Sequence, residues 1–495
     1  NARPNKVSET DPQTVAAVST IGNVGLEPRG VAVTNDGDGN DADEKVYVTQ
    51  FFGVDRAGVF DGSIKIGADD YKEGRVAVIS AGNRQVIKQA VLNPMVNTGF
   101  KSNGSALRGI GPKFENGDPT KPLFEVDTGA SPNMLQSVAI KGNRAYLPNT
   151  CASADGPIRF NVNMQSCLSV LDIRSDAEGV VNGAFQTINM NVGIGREKES
   201  DVEITRKLFL AVPWAVAFKN KVNEGYAVSL SSNVIVKVVL DANGTPTINP
   251  PKDANDPGNI VRVLVGQGPR GIVINSTDTR AYVANENSRD VTVVNLSNDT
   301  KLDSFATTAL PQANTPAART LIGKAIFESS TGIDLPQLSS AALSGEVESL
   351  PPSKARLSNE GWGSCFACHG FGKTDGVVWI FGSGPRRSSP LNWTFSPVNA
   401  DDIKLLNHSA INDEVQDFEN NIRDVSGGKG LIVNSSGDPA GETKPPLFAK
   451  NGQRSAQLDA LAAYVATIKT PRSPLASVSA ASPAGEQIAR GRELF

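Results

Sequence analysis

Along the first 310 residues apolar and polar positions alternate with a period of two. The runs are short and bounded by Gly, Asn and Asp, the pattern of half-buried strands joined by tight turns. They recur in groups of four. The first group is Pro28–Val33, Val46–Thr49, Arg75–Ile79 and Val86–Leu92; the second is Leu135–Ile140, Arg144–Leu147, Cys167–Ile173 and Ala184–Met190. The third is Trp214–Phe218, Gly225–Val228, Val234–Leu240 and Val261–Val265; the fourth is Pro269–Ile274, Arg280–Val283, Asp290–Leu296 and Leu302–Ala306. Asn5–Ser8 and Val15–Ile21 read as the last two strands of a further unit; either its first strands come from elsewhere in the chain or, the favoured expectation, the sequence begins part-way through it.

Repeated four-stranded units close into a ring, because a lone sheet of this kind leaves its edges and one face unpaired. The predicted fold is mainly β: a multi-bladed β-propeller over residues 1–310, incomplete at its N-terminus. Val46-Tyr-Val-Thr49, Tyr146-Leu-Pro-Asn149 and Tyr282-Val-Ala-Asn285 resemble the signature tetrapeptide of the YVTN family of β-propellers, over about residues 14–310. That resemblance implies a fold and little about function.

Beyond Ala306 the pattern changes. Pro311–Ala318 reads as a linker, Leu321–Phe327 as a helix and Leu335–Ser358 as a polar, proline-rich stretch. Leu458, Leu461, Val465 and Ile468 form an apolar stripe on a helix over Ala456–Lys469, stopped by Pro471 and Pro474. Residues 311–480 are expected to form a mostly α-helical and irregular unit.

Hydrophobic residues make up 39% and charged residues 20%, a globular composition. Lys+Arg is 48 and Asp+Glu 52, and no basic run interrupts that balance, so nucleic acid is not an expected partner. The longest apolar stretch, Leu208–Phe218, is broken by Pro213 and too short to span a bilayer.

Four cysteines and two histidines narrow the chemistry. Cys365-Phe-Ala-Cys368-His369 is the attachment pattern for haem c: each thiol adds to a porphyrin vinyl group and the adjacent imidazole lies under the iron. A zinc ribbon needs a second Cys/His pair nearby and a thioredoxin-type CxxC needs a βαβ setting; the sequence offers neither. Cys151 and Cys167 enclose a polar loop and are expected to form a disulfide. A disulfide together with covalent haem points to an oxidising compartment, the periplasm or the exterior and cell surface of a prokaryote. Asn1 in place of Met fits an export signal that was removed or lies outside the sequence. Both histidines lie in the last third, so the β region has no histidine for copper, for haem iron or for general-base work.

Gly361-Trp-Gly-Ser-Cys365-Phe-Ala-Cys368-His369, Thr374-Asp-Gly376, Gly384-Pro-Arg-Arg387, Ser389-Pro-Leu391 and Asp413-Glu-Val-Gln-Asp-Phe-Glu419 resemble the di-haem cytochrome c peroxidase family and its relatives fused to YVTN propellers. The resemblance covers about residues 320–470 and implies a cytochrome c domain there. That family carries two haems, and here the second attachment motif is absent. Gly491-x-x-Leu-Phe495 repeats Gly323-x-x-Ile-Phe327, so residues 481–495 read as the opening helix of another cytochrome domain, with a second haem expected if the chain continues.

No methionine follows Met190, which excludes a His/Met iron site formed within this unit. His408 is the remaining imidazole and is expected to complete bis-histidine ligation; the alternative is a surface histidine and a distal side open to peroxide. Two imidazoles make an electron-transfer centre. An open site makes a peroxidase-like enzyme or a peroxide-driven oxidase of a partner protein. Glu414, Glu419 and Asp413 are then candidate proton carriers, and Arg386 or Arg387 candidate stabilisers of developing charge. The plainer roles are that these acids cap or pair on a helix and the arginines bind haem propionates. Trp379 and Trp393 either relay electrons or pack on the porphyrin.

Asp36-Gly-Asp38-Gly-Asn40-Asp41-Ala-Asp43-Glu44 alternates oxygen ligands with glycines. It is either a calcium site, with Asp36, Asp38, Asn40, Asp41 and Asp43 as ligands, or a solvated hairpin loop; Asp41 and Tyr47 break the EF-hand spacing. The leading expectation is electron transfer to or from a redox partner protein or another haem protein, with the propeller as scaffold or docking platform. A third reading makes the propeller a partner- or surface-binding module with an accessory haem.

Overall fold

The structure, a computed structural model, describes residues 6–10, 17–156, 163–197, 208–248, 259–332, 357–396, 405–432, 444–469, 478–479 and 481–494. Most of the proline-rich stretch 335–358 lies outside them. The fold is mainly β, and four antiparallel sheets follow one another along the chain. The first orders Pro28–Val33, Lys45–Gln50, Lys72–Ser80 and Gln85–Leu92. In the second, Ser131–Asn133 and Ala139–Lys141 both pair with Arg144–Ala152, which pairs with Met164–Asp172 and through it with Ile188–Asn189. The third runs Pro213–Phe218, Glu224–Ser229, Val234–Leu240 and Arg262–Leu264. The fourth runs Pro269–Ile274, Arg280–Asn285, Asp290–Asn295 and Thr300–Ala306. A hairpin, Lys6–Thr10 with Ala17–Gly22, lies against the outer strand of the first sheet. The sheets pack face to face in series, which is a propeller-like arrangement; among the described residues no strand pairing joins one sheet to the next.

One tyrosine per sheet, at the same place in the second strand, explains the stacking. Tyr47, Tyr146 and Tyr226 are fully buried and anchor the apolar clusters between the first and second, second and third, and third and fourth sheets. Each phenol crosses to a hairpin turn of the following sheet. Tyr47 donates to Asp176 at 2.5 Å, Tyr146 to the Gly244 carbonyl at 2.8 Å, and Tyr226 to Asp299. Burial raises all three phenol pKa values, so the hydroxyls stay protonated and able to donate. The fourth tyrosine, Tyr282, is half-buried and has no hydroxyl partner among the described residues; Val273, its cross-strand neighbour, is exposed.

Each sheet also carries an irregularity in its first strand, just after the opening residues. The register slips between Pro28 and Val31, between Pro213 and Ala215, and between Pro269 and Gly271. In the second sheet Asn133 faces Thr150 but Ala139 faces Tyr146, so the inner strand is interrupted where the alternation predicted a continuous Leu135–Ile140. Such bulges kink the strand and redirect the side chain at the extra position.

The C-terminal region is helical and irregular, as its pattern predicts. The helix Pro316–Glu328 begins inside the predicted linker because Thr315 caps it, its Oγ1 accepting from the Ala318 N–H, with Pro316 at the first helical position. It crosses the helix Ala456–Val465 at Gly323, where an added Cβ would sit 1.9 Å from the Ala460 carbonyl oxygen. The second helix stops at Val465, short of the predicted Lys469, as Thr467 and Ile468 tighten into i−3 hydrogen bonds. The stretch Val378–Phe381 and Gly384–Arg387 forms a hairpin, and Asp413–Glu419 is a capped turn leading into Glu419–Asp424. Residues Pro483–Leu494 are helical, with Gly485 buried. One apolar core unites this region with the sheets, joining Phe51, Met134, Val212 and Leu230 to Phe327, Phe366, Trp379 and Leu458. No helix among the described residues is long and apolar enough to cross a membrane. Cys151 and Cys167 form a disulfide between neighbouring strands of the second sheet, with Cα atoms 5.9 Å apart.

Candidate functional site

The Cys365–Cys368 segment is a single helical turn, opened by the buried Ser364, whose hydroxyl bonds Ser231 at 2.9 Å. Both thiols are free and half-buried. Burial pushes the Cys365 thiol up to about 11; Cys368 is raised well above its ordinary value by burial and by the neighbouring Asp375 and Cys365 charges. His369 follows with its Nδ1 3.2 Å from the Lys373 carbonyl. A carbonyl only accepts, so Nδ1 carries the proton and the lone pair is left on Nε2. Burial lowers the His369 pKa against the pull of the Lys373 and Ser389 carbonyls, which favours the neutral ring that ligates metals.

The four first-strand irregularities converge on this turn. Arg29 lies 4.2 Å over the Phe371 ring and 4.9 Å over Phe51. Trp214 packs against Phe366 and Phe371, with centroids 5.8 and 6.0 Å away. Arg270 lies 4.1 Å over Trp214 and 5.7 Å from Phe366. Met134 reaches Gly370, where an added Cβ would meet its Cε at 3.3 Å and Phe51 at 3.4 Å. Four corresponding positions on the sheets thus form an aromatic and cationic seat for residues 366–371. The repeated Pro28-Arg-Gly30 and Pro269-Arg-Gly271 were visible signals of it, and period-two reading absorbed them as ordinary strand starts. Arg270 bonds Glu286 and Glu328, and its Nη1 is buried with no hydrogen-bond partner among the described residues.

Near Cys368 stands Asp375, which is 1% exposed. Its carboxylate accepts from Ser388 Oγ at 2.7 Å, Trp379 Nε1 at 2.8 Å and the Val377 N–H at 3.1 Å. Burial raises its pKa to about 6, with those three bonds opposing. Its backbone N–H donates to Ser388 Oγ at 3.2 Å, and its carbonyl accepts from Asn133 of the second sheet at 2.9 Å.

The other predicted residues are placed as follows. His408 is exposed, its Nε2 2.6 Å from the Arg387 carbonyl. His408 thus meets the segment Arg387–Ser389 at its first carbonyl. Arg386 bonds Ser383 on its own hairpin turn, and Arg387 is exposed. Glu414 accepts from the Asn451 and Gly452 N–H groups at 2.8 and 2.9 Å. Glu419 is fully buried and accepts from the Leu431 and Ile432 N–H groups and from Arg423. Asp413 accepts from the Phe448 N–H. All three acids hold the backbone in place. Trp379 is tied to Asp375, and the Trp393 side chain lies outside the described residues.

In the acidic loop the Asp36, Asp38 and Asp43 carboxylates gather within 4.8 Å of one another on the exposed surface. Asp41 is not in that group, and Asn40 spends its side-chain oxygen on the Ala42 N–H. Among the described residues the Cys365, Cys368 and His369 donor atoms do not gather in this way with any further His, Cys or acid. A donor set that stays apart does not suit a tetrahedral ion.

No family model and no curated protein matches the chain. Among solved structures it is similar to the hydrazine synthase of Kuenenia stuttgartiensis, at 12% identity over 59% of this chain and 65% of that one, TM-score 0.35. It is also similar to a functionally unknown protein from Desulfotomaculum acetoxidans DSM 771, at 13% identity over 62% and 64%, TM-score 0.32. A luciferin-regenerating enzyme matches at 9% identity over 61% and 69%, TM-score 0.32. The chain thus spans about two thirds of the length of each, and likeness this distant transfers no chemistry.

Proposed function

We propose that this chain is an extracytoplasmic c-type cytochrome. Cys365 and Cys368 would hold one haem c by thioether bonds, His369 would ligate its iron through Nε2, and His408 would be the second axial ligand. The bound group supplies one-electron chemistry. The chain's part is to fix the imidazole tautomer through Lys373, to seat the attachment turn on Arg29, Met134, Trp214 and Arg270, and to exclude water with Phe366 and Phe371. The observation that carries the reading is the CxxCH turn itself, with free thiols and an Nδ1-anchored, neutral imidazole. The buried, unpaired Nη1 of Arg270 adds a donor suited to a carboxylate such as a haem propionate. The sheets would act as scaffold and docking platform for a redox partner.

A second reading rests on His408. Its Nε2 is bonded to Arg387, so iron ligation requires that bond to be exchanged. If it is kept, the distal side stays open and peroxide reduction becomes the better reading. The absorbance and EPR spectra of the purified protein decide. A Soret band with a low-spin bis-imidazole signal that becomes high-spin in His408→Gly supports electron transfer. A low-spin signal unchanged in that variant removes His408 as ligand, a high-spin wild type that reacts with peroxide supports the second reading, and a colourless protein ends both. Calcium on the acidic loop stays a proposal, tested by calcium titration of Asp38→Asn against wild type.

A further inference from the structure

We infer that Asp375 is a positioning residue for the redox centre, acting through Ser388; this rests on the haem reading above. Asp375 lies two residues after Lys373, whose carbonyl faces His369 Nδ1 at 3.2 Å, and Ser388 bonds both Thr374 and Asp375. Ser388 has its side chain locked from three directions. It donates to Asp375 Oδ1 at 2.7 Å, meets the Asp375 N–H at 3.2 Å, and lies 3.0 Å from Thr374 Oγ1.

The lock is itself anchored on both sides. Asp375 grips Trp379 Nε1 at 2.8 Å on the hairpin, and its carbonyl holds Asn133 of the second sheet at 2.9 Å. The same carboxylate therefore fixes the Lys373–Asp375 segment, whose first carbonyl holds the His369 ring, and ties that segment to the sheets. A structural filler would need only an apolar side chain here.

Groups that hold a ligating imidazole from behind set its orientation and basicity, and through them the potential of the metal. Removing the acceptor from Ser388 frees the Thr374–Asp375 backbone and lets the Lys373 carbonyl turn. The Nδ1 bond of His369 then changes while the thiols are untouched.

The test uses the haem-loaded protein, with Asp375→Asn, Ser388→Ala and Ser388→Thr compared with wild type. Covalent haem is quantified by alkaline pyridine haemochrome, the iron by EPR, and the midpoint potential by redox titration. Asp375→Asn and Ser388→Ala are expected to keep covalent haem and to change the relative stability of ferric and ferrous forms about tenfold. That is about 59 mV for a one-electron couple. A shifted EPR g-spread should accompany it, and Ser388→Thr, which keeps the hydroxyl, should restore both. Should Asp375→Asn fail to fold, Ser388→Ala at a half-buried position examines the same lock. Haem-loaded variants with wild-type potential and EPR overturn the inference and leave the cytochrome reading standing. A wild type without covalent haem overturns that reading and the inference with it.

Discussion

The tyrosine series offers an internally controlled test of how the sheets are held. Tyr47, Tyr146, Tyr226 and Tyr282 occupy the same place in four sheets, yet among the described residues only the first three reach a partner on the next sheet. Tyr→Phe removes one oxygen and leaves the ring in its cluster, so packing is held nearly constant. At Tyr146 the acceptor is the Gly244 carbonyl, and losing a neutral bond of that kind costs about 1 kcal/mol. At Tyr47 and Tyr226 the acceptors are Asp176 and Asp299, for which about 2 kcal/mol is appropriate. The cost stops there because Lys45 still pairs with Asp176 at 2.7 Å and Lys237 with Asp299 at 3.2 Å, so no carboxylate is stranded. Tyr282→Phe should fall within roughly 0.5 kcal/mol of wild type. In urea, with a slope of about 2 kcal/mol/M, the first unfolding midpoint should drop by about 1 M for the carboxylate-linked pair and about 0.5 M for Tyr146→Phe. It should not move for Tyr282→Phe. A Tyr282→Phe loss equal to that of Tyr226→Phe would refute the assignment of the hydroxyl bonds as the distinguishing element.

Other outcomes follow from single sites. Replacing Cys151 and Cys167 together by Ala opens a loop with a sequence separation of 16 and should cost about 3 kcal/mol, read from denaturation with and without reductant. Unchanged stability would show the bridge to be idle. Asp69 has its carboxyl pushed up to about 7 by burial, against bonds from Asp155 and Gly129 N–H groups. A raised acid binds its proton more tightly when folded. Stability should therefore be greatest below about pH 4 and fall by at most about 1.4 kcal/mol per pH unit up to pH 7, where the loss levels off. Asp69→Asn should flatten that slope in denaturant midpoints taken across the range, and an unaltered slope would dismiss the group. Arg270→Ala strands Glu328, 2% exposed, with only Asn287 at 2.9 Å and Lys324 at 4.0 Å. A loss of about 3 kcal/mol is expected, partly recovered in Arg270→Ala with Glu328→Gln.

The strands were legible because alternation and turn residues are local properties. Pro269–Ile274 and Val234–Leu240 form over the predicted spans. The second sheet escaped in part because a register slip is decided by the partner strand, and Leu-Gln-Ser-Val reads as a strand to any periodic test. The CxxCH turn was legible as a motif. Its seat was not, since Arg29, Met134, Trp214 and Arg270 meet it only through the third dimension. Thr374-Asp-Gly376 is visible as part of a resemblance, but the aim of Asp375 at Ser388 is decided by the fold, thirteen residues away along the chain. His408 was placed by elimination, which counts imidazoles and says nothing of exposure.

The strand bulges that bring Arg29 and Arg270 onto the attachment turn also impose an order on assembly. Arg29 and Phe371 are separated by most of the chain, and no stretch of the C-terminal third can build the seat unaided. Loop closure over such spans comes late and is entropically costly. Residues 366–371 therefore gain their aromatic and cationic surroundings only once the first and last sheets are both in place.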